Sequence, residues 1–270
     1  MTKKIATLIM STILAALTLS AAKIDTVTIT TNLLPKPMHV TVITPDADNK
    51  DNKFPTVYLL NGYDGDHTTW SRISCPDLPQ LADRYGMIMV MPDGMDSWYF
   101  DAPANPKMKM ETFITTELVP YIDQNYPTIA QADKRAITGL SMGGHGAMWL
   151  GLRHPDIWKN CGSTSGGVNI VPFGSKWKIP LALGAKPSQA TLAAHSVATL
   201  AKSITPGQNN IIFDCGVDDF FHKVNADLHD LMVTRKIPHD YISRPGRHSH
   251  SYWNNAIRYQ LIFFNNHFKK

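Results

Sequence analysis

The chain has 270 residues, is 43% hydrophobic and 18% charged, and carries a formal net charge of +4; this composition supports a full core and excludes a disordered chain. Lysines and arginines are scattered singly with no basic run, so neither nucleic acid nor an anionic membrane is an expected partner. Three cysteines (Cys75, Cys161 and Cys215) form no Cys-x-x-Cys pair and the eleven histidines show no ligand spacing, so no metal site is expected and at most one internal disulfide is possible.

Lys3 and Lys4 precede an uncharged apolar run over 5–19, and Ser20, Ala21 and Ala22 follow. This is the layout of a secretory signal peptide over 1–22, cleaved after Ala22, and it makes a periplasmic or secreted protein the expectation. The run is short for a hydrocarbon layer of about 30 Å, so stable membrane insertion is not expected. Loss of Lys3 and Lys4 lowers the net charge from +4 to +2. An oxidising compartment leaves at least one cysteine of the odd set unpaired.

Residues 23–270 read as one α/β domain. Stretches 26–30 and 38–44 alternate or are β-branched and predict antiparallel edge strands. Denser apolar runs at 56–60, 87–91, 135–138 and 211–213 predict central strands buried on both faces, and 241–243 predicts the last strand. Between them lie stripes at helical spacing. Phe113, Ile114, Leu118, Tyr121 and Ile122 form one, with Pro120 bending its end. Val224, Leu228 and Met232 mark a second, and Trp253, Ile257, Leu261, Phe264 and Phe268 a third. The alternation implies a mainly parallel sheet with helices on both faces. Residues 168–208, with Trp177 and a weak helix over 189–201, break the alternation and are expected to lie over the sheet edge as a candidate lid.

A strand over 135–138 runs into Gly139-Leu140-Ser141-Met142-Gly143, and a helix over 144–153 ends before Pro155. A G-x-S-x-G between strand and helix sets its serine in a strained turn with the hydroxyl clear of the sheet. Gly139 and Gly143 are expected to be steric necessities, with Gly144, Gly146 and Ala147 letting the helix pack closely. A serine nucleophile needs a base, and the base needs an acid to fix its tautomer. In the chain order Ser, acid, His, the acid follows the strand over 211–213, where Asp218 and Asp219 both qualify. Asp219, three residues past Gly216, is preferred; the alternative is that it caps the next helix and Asp218 is the acid. The base follows 241–243: His248, after Gly246, is preferred to His250, which reads as the first helical turn. Backbone N–H groups for a developing oxyanion are expected at Met142 and, from the loop after 56–60, at Tyr63 or Gly62.

These motifs resemble the esterase D-like family of α/β-hydrolases, which takes in carbohydrate esterase family 1 feruloyl and acetylxylan esterases, tributyrin esterases, S-formylglutathione hydrolases and mycolyltransferases. The resemblance rests on Val57 to Gly62, on Met91-Pro92-Asp93-Gly94 with Ser97-Trp98-Tyr99, on Glu117 to Ile122, on Gly139 to Ala147, and on Pro245 to His248 with Tyr252-Trp253. It implies an α/β-hydrolase fold, a Ser141, Asp219, His248 triad, and backbone donors at Met142 and Tyr63. Two positions depart from the family. Asn61 stands where a His is usual, and His250 where a Trp is frequent.

The implied chemistry is acyl transfer through a serine ester, with no cofactor. With export, the expected partner is an ester of an acylated glycan, and Trp70, Trp98, Tyr99 and Trp253 are candidate platforms for a sugar or an aromatic acyl group. A generalist short-chain carboxylesterase and a non-catalytic glycan binder are the competing readings.

Overall fold

The computed structural model describes residues 22–46 and 52–270; the expected leader over 1–22 lies, apart from Ala22, outside the described residues. Eight strands form one sheet in the order β1-β2-β4-β3-β5-β6-β7-β8: β1 (Lys23–Ile29), β2 (Met38–Thr44), β3 (Thr56–Leu60), β4 (Ile88–Pro92), β5 (Arg135–Gly139), β6 (Asn160–Thr164), β7 (Asn210–Gly216) and β8 (Asp240–Arg244). β2 pairs antiparallel with β1 and β4, and β3 to β8 pair in parallel. This is the expected α/β architecture. Of the two strands expected at an edge, only β1 is one: β2 is interior, because β4 pairs with its other side.

Helices cover both faces: α1 (Leu78–Tyr85), α2 (Met110–Phe113), α3 (Val119–Asn125), α4 (Met142–Arg153), α5 (Ile179–Leu183), α6 (Gln189–Ala194), α7 (Val197–Leu200), α8 (His222–Thr234) and α9 (His250–Phe268). One apolar layer lies against each face. Around Pro120, a π-turn over Ile114–Leu118 precedes α3 and places the proline in the first turn of α3, where its missing N–H goes unneeded. Residues 168–208 join the neighbouring strands β6 and β7, and Val168, Ile170, Ile179, Leu192 and Val197 are buried in the main core. The helix expected over 189–201 is two short ones, split at His195 and Ser196.

The parallel strands all deliver their C-terminal ends to one rim. β3, β5 and β7 end at Leu60, Gly139 and Gly216, and the loops that follow carry the residues singled out above.

Candidate active site

After β5, Leu140 and Ser141 turn the chain into α4. Ser141 adopts φ 56° and ψ −117°, a left-handed backbone that costs a side-chain-bearing residue about 1–3 kcal/mol. The turn closes because glycines surround it. A Cβ on Gly139 would stand 2.4 Å from the Gly143 carbonyl, and one on Gly143 would stand 2.3 Å from the Leu60 carbonyl oxygen. The Ser141 N–H donates to the Thr164 carbonyl at 3.0 Å, and the Ser141 carbonyl accepts from His145 N–H at 3.1 Å. The hydroxyl is thereby held at the start of α4, where the helix dipole favours negative charge.

The loop from β7 to α8 places the Asp219 side chain fully out of solvent. Its Oδ1 accepts from Phe221 N–H at 2.8 Å, and its two oxygens lie 3.1 and 2.9 Å from His248 Nδ1. Asp219 therefore both anchors the approach to α8 and meets the imidazole. Asp218 is exposed, and its N–H is tied to the Gly246 carbonyl at 3.0 Å. The two loops touch: a Cβ on Gly216 would sit 2.3 Å from the Gly246 carbonyl oxygen.

His248 Nε2 lies 2.9 Å from Ser141 Oγ. An ionised carboxylate only accepts, so the His248 proton sits on Nδ1 and Nε2 is free to accept from the serine hydroxyl. His250 begins α9, and its Nδ1 pairs with Ser74 Oγ at 2.9 Å.

Met142 and Tyr63 both line the pocket beside Ser141, and neither backbone N–H has a backbone acceptor outside helix and strand ladders among the described residues. Gly62 permits the approach, since a Cβ there would stand 3.2 Å from Ser141 Cβ. Asn61 holds this loop in place. Its Nδ2 donates to the Gly62 carbonyl at 2.9 Å, and its Oδ1 accepts from Gly94 N–H at 2.9 Å and from Tyr99 Oη at 3.2 Å.

The pocket has a volume of about 350 Å³. Of the four aromatic platforms expected, Trp98 and Trp253 line it. Trp70 and Tyr99 do not. They are 1% and 0% exposed, the Trp70 indole donates to the Leu60 carbonyl at 2.9 Å, and Tyr99 Oη donates to the Asn61 carbonyl at 3.0 Å. Both brace the exit of β3 from beneath. Trp177, Phe220 and Phe221 line the pocket instead. Trp177 stacks on Phe220 with ring centroids 5.5 Å apart, and Phe220 lies 4.3 Å from the His248 ring. The Phe220-Phe221 pair follows Asp219 directly, so its position in a rim loop was the available signal. Trp177 had none, because its place depends on how residues 168–208 fold back.

The Esterase family model matches residues 31–264. An acetyl esterase of Caldicellulosiruptor saccharolyticus is 26% identical over 234 residues, covering 78% of this chain and 83% of that protein. An S-formylglutathione hydrolase of Rattus norvegicus is 29% identical over 236 residues, covering 77% and 80%. Among solved structures, a ferulic acid esterase superposes with a TM-score of 0.79 at 28% identity, covering 92% of this chain and 98% of that one.

Proposed function

The chain belongs to the Esterase family and is a carboxylic ester hydrolase; on that premise we propose that it is an exported serine esterase that removes acyl groups, feruloyl or acetyl, from plant polysaccharides. The observation that carries the reading is the aligned Ser141, His248 and Asp219 at the base of a pocket walled by Trp98, Trp177, Phe220 and Phe221. Flat aromatic walls complement a flat hydroxycinnamoyl group. The layout of residues 1–22 supports export.

In this reading, His248 Nε2 takes the Ser141 proton as Oγ attacks the ester carbonyl carbon. The carbonyl oxygen becomes an oxyanion facing the Met142 and Tyr63 N–H groups. As the intermediate collapses, the carbon–oxygen bond to the alcohol breaks and His248 returns the proton to the departing alcohol. Water then enters, gives its proton to His248, and releases the acid and Ser141. Asp219 holds the Nδ1–H tautomer throughout and offsets the transient imidazolium charge.

Release of ferulate and acetate from xylan, measured against hydrolysis of tributyrin, tests the substrate. Glycan deacylation well above the tributyrin rate is expected. Deacylation at background with brisk tributyrin hydrolysis would leave a short-chain carboxylesterase.

A further inference from the structure

His248 divides the pocket. On one side its ring meets Phe220 at 4.3 Å and Phe221 at 5.5 Å, beside Trp98 and Trp177. On the other it meets Trp253 edge-on at 4.9 Å, and Trp253 meets His250 at the same 4.9 Å. The first wall is aromatic, with Trp98 and Phe221 each 1% exposed and Phe220 52% exposed. The second joins the buried Trp253 to Ile73, 57% exposed, and to the exposed His250, so that its outer part reaches solvent. His250 is held firmly for a residue at a rim: Nδ1 pairs with the fully buried Ser74 Oγ at 2.9 Å, which leaves Nε2 directed away from that anchor. The Trp253 indole N–H on the same wall is buried and has no partner among the described residues.

Two constraints decide what meets this wall. A cavity of about 350 Å³ admits an acyl group and not a polymer, so the polymer must leave through the mouth. The leaving oxygen must also reach His248 Nε2 to receive its proton. From these we infer that His250 is a specificity-determining residue on the alcohol side, where its Nε2 hydrogen-bonds a hydroxyl of the sugar next to the scissile ester. A hydroxyl both donates and accepts, so it complements either tautomer of the ring. Burial first, and the neighbouring His248 second, lower the His250 pKa below the ordinary imidazole value, consistent with a neutral hydrogen-bonding partner. The inference rests on the polysaccharide-ester reading above.

The test compares kcat/KM for a monosaccharide ester and for the methyl ester of the same acid, in both a feruloyl and an acetyl series, for the parent enzyme, His250→Ala and His250→Gln. Intact-mass labelling of Ser141 by a fluorophosphonate reports that each variant is folded. For His250→Ala, the sugar-to-methyl ratio falls about tenfold through KM, the effect of one hydrogen bond. His250→Gln, which keeps an amide near the Nε2 position, holds the ratio within about threefold of the parent. A parent enzyme without sugar preference, an unchanged ratio in His250→Ala, or an equal fall on both esters overturns the assignment. Turnover of the acetyl series alone removes the feruloyl reading while the ratio still reads His250.

Discussion

Gln260 of α9 is fully buried and ties together the three strands nearest the site. Its Nε2 donates to Asp214 Oδ2 at 2.7 Å and to the Ser163 carbonyl at 3.0 Å, and its Oε1 accepts from the Thr138 hydroxyl. Thr138, Ser163 and Asp214 lie on β5, β6 and β7. Gln260→Leu keeps the volume close and removes all three hydrogen bonds. The Ser163 carbonyl and the Thr138 hydroxyl then lose a buried partner, at about 1–3 kcal/mol each, and a charged Asp214 loses more. After relaxation we expect a loss of about 3–5 kcal/mol, a large share of the roughly 5–15 kcal/mol of a folded domain. Asp214 keeps the Thr164 hydroxyl at 2.7 Å and Arg244 at 3.9 Å. Burial already raises its carboxyl pKa, against the opposing hydrogen bonds of Thr164 and Gln260. A carboxyl whose folded pKa lies above its unfolded one stabilises the fold at low pH and loses that contribution as pH rises through the folded value. Losing Gln260 raises the folded pKa further, so the deficit is largest at neutral pH and shrinks on acidification. Urea unfolding at pH 7 and pH 5, in parent and Asp214→Asn backgrounds, measures it. A loss under about 1 kcal/mol, or an equal loss in both backgrounds, would refute the reasoning, since coupled groups are not additive.

Glu111 accepts from His154, Arg153 and Trp149 at 2.8, 2.8 and 2.9 Å. Burial pushes its carboxyl up, but these three donors prevail and bring it down to about 2. Its stabilisation is therefore complete above the unfolded carboxylate range and is lost as pH falls toward 2. The unfolding free energy from urea titrations in that window should drop by up to about 1.4 kcal/mol per pH unit, and Glu111→Gln should flatten the slope. Gly146→Ala drives a Cβ to 2.2 Å from the Tyr99 ring, which Asn61 holds; we expect a Tm fall of roughly 2–12 °C, from strain of about 1–3 kcal/mol, partly relieved in a Tyr99→Leu background. Equal Tm changes in both backgrounds would count against the clash. Asp219→Asn should lower kcat about 10⁴-fold, the loss known for this substitution in serine proteases, whereas Asp218→Asn should leave it within a few-fold; the reverse order would reassign the acid. All three cysteines are buried and unpaired, with burial pushing the Cys75 and Cys161 thiols up to about 12. Ellman's reagent should find no reactive thiol in native protein and three after denaturation.

Most of the sheet was legible because β3 and β4 are dense apolar runs of nearly the predicted extent, and β5 runs straight into the Gly139 to Gly143 turn. β6 was not, since its sequence Asn-Cys-Gly-Ser-Thr lacks an apolar pattern. Its polar residues serve the network beneath the site: Asn160 donates to the Arg135 carbonyl, and Gly162 leaves room for Gln260, whose Oε1 would lie 2.6 Å from a Cβ there. Ser141, Asp219 and His248 could be placed because each follows a strand end in an order the chain itself displays. The aromatic walls could not, because Trp70, Tyr99 and Trp98 look alike in sequence. Only the folded contacts distinguish them: the Trp98 ring lines the pocket, whereas the Trp70 indole and the Tyr99 hydroxyl donate to the Leu60 and Asn61 carbonyls.

The most direct test of Ser141 as the activated nucleophile is fluorophosphonate labelling followed by peptide mapping of the parent, Ser141→Ala and His248→Ala proteins. We expect one adduct on Ser141 in the parent, none in Ser141→Ala, and labelling slowed by orders of magnitude in His248→Ala. An adduct that persists in folded Ser141→Ala, or undiminished labelling without His248, would contradict it.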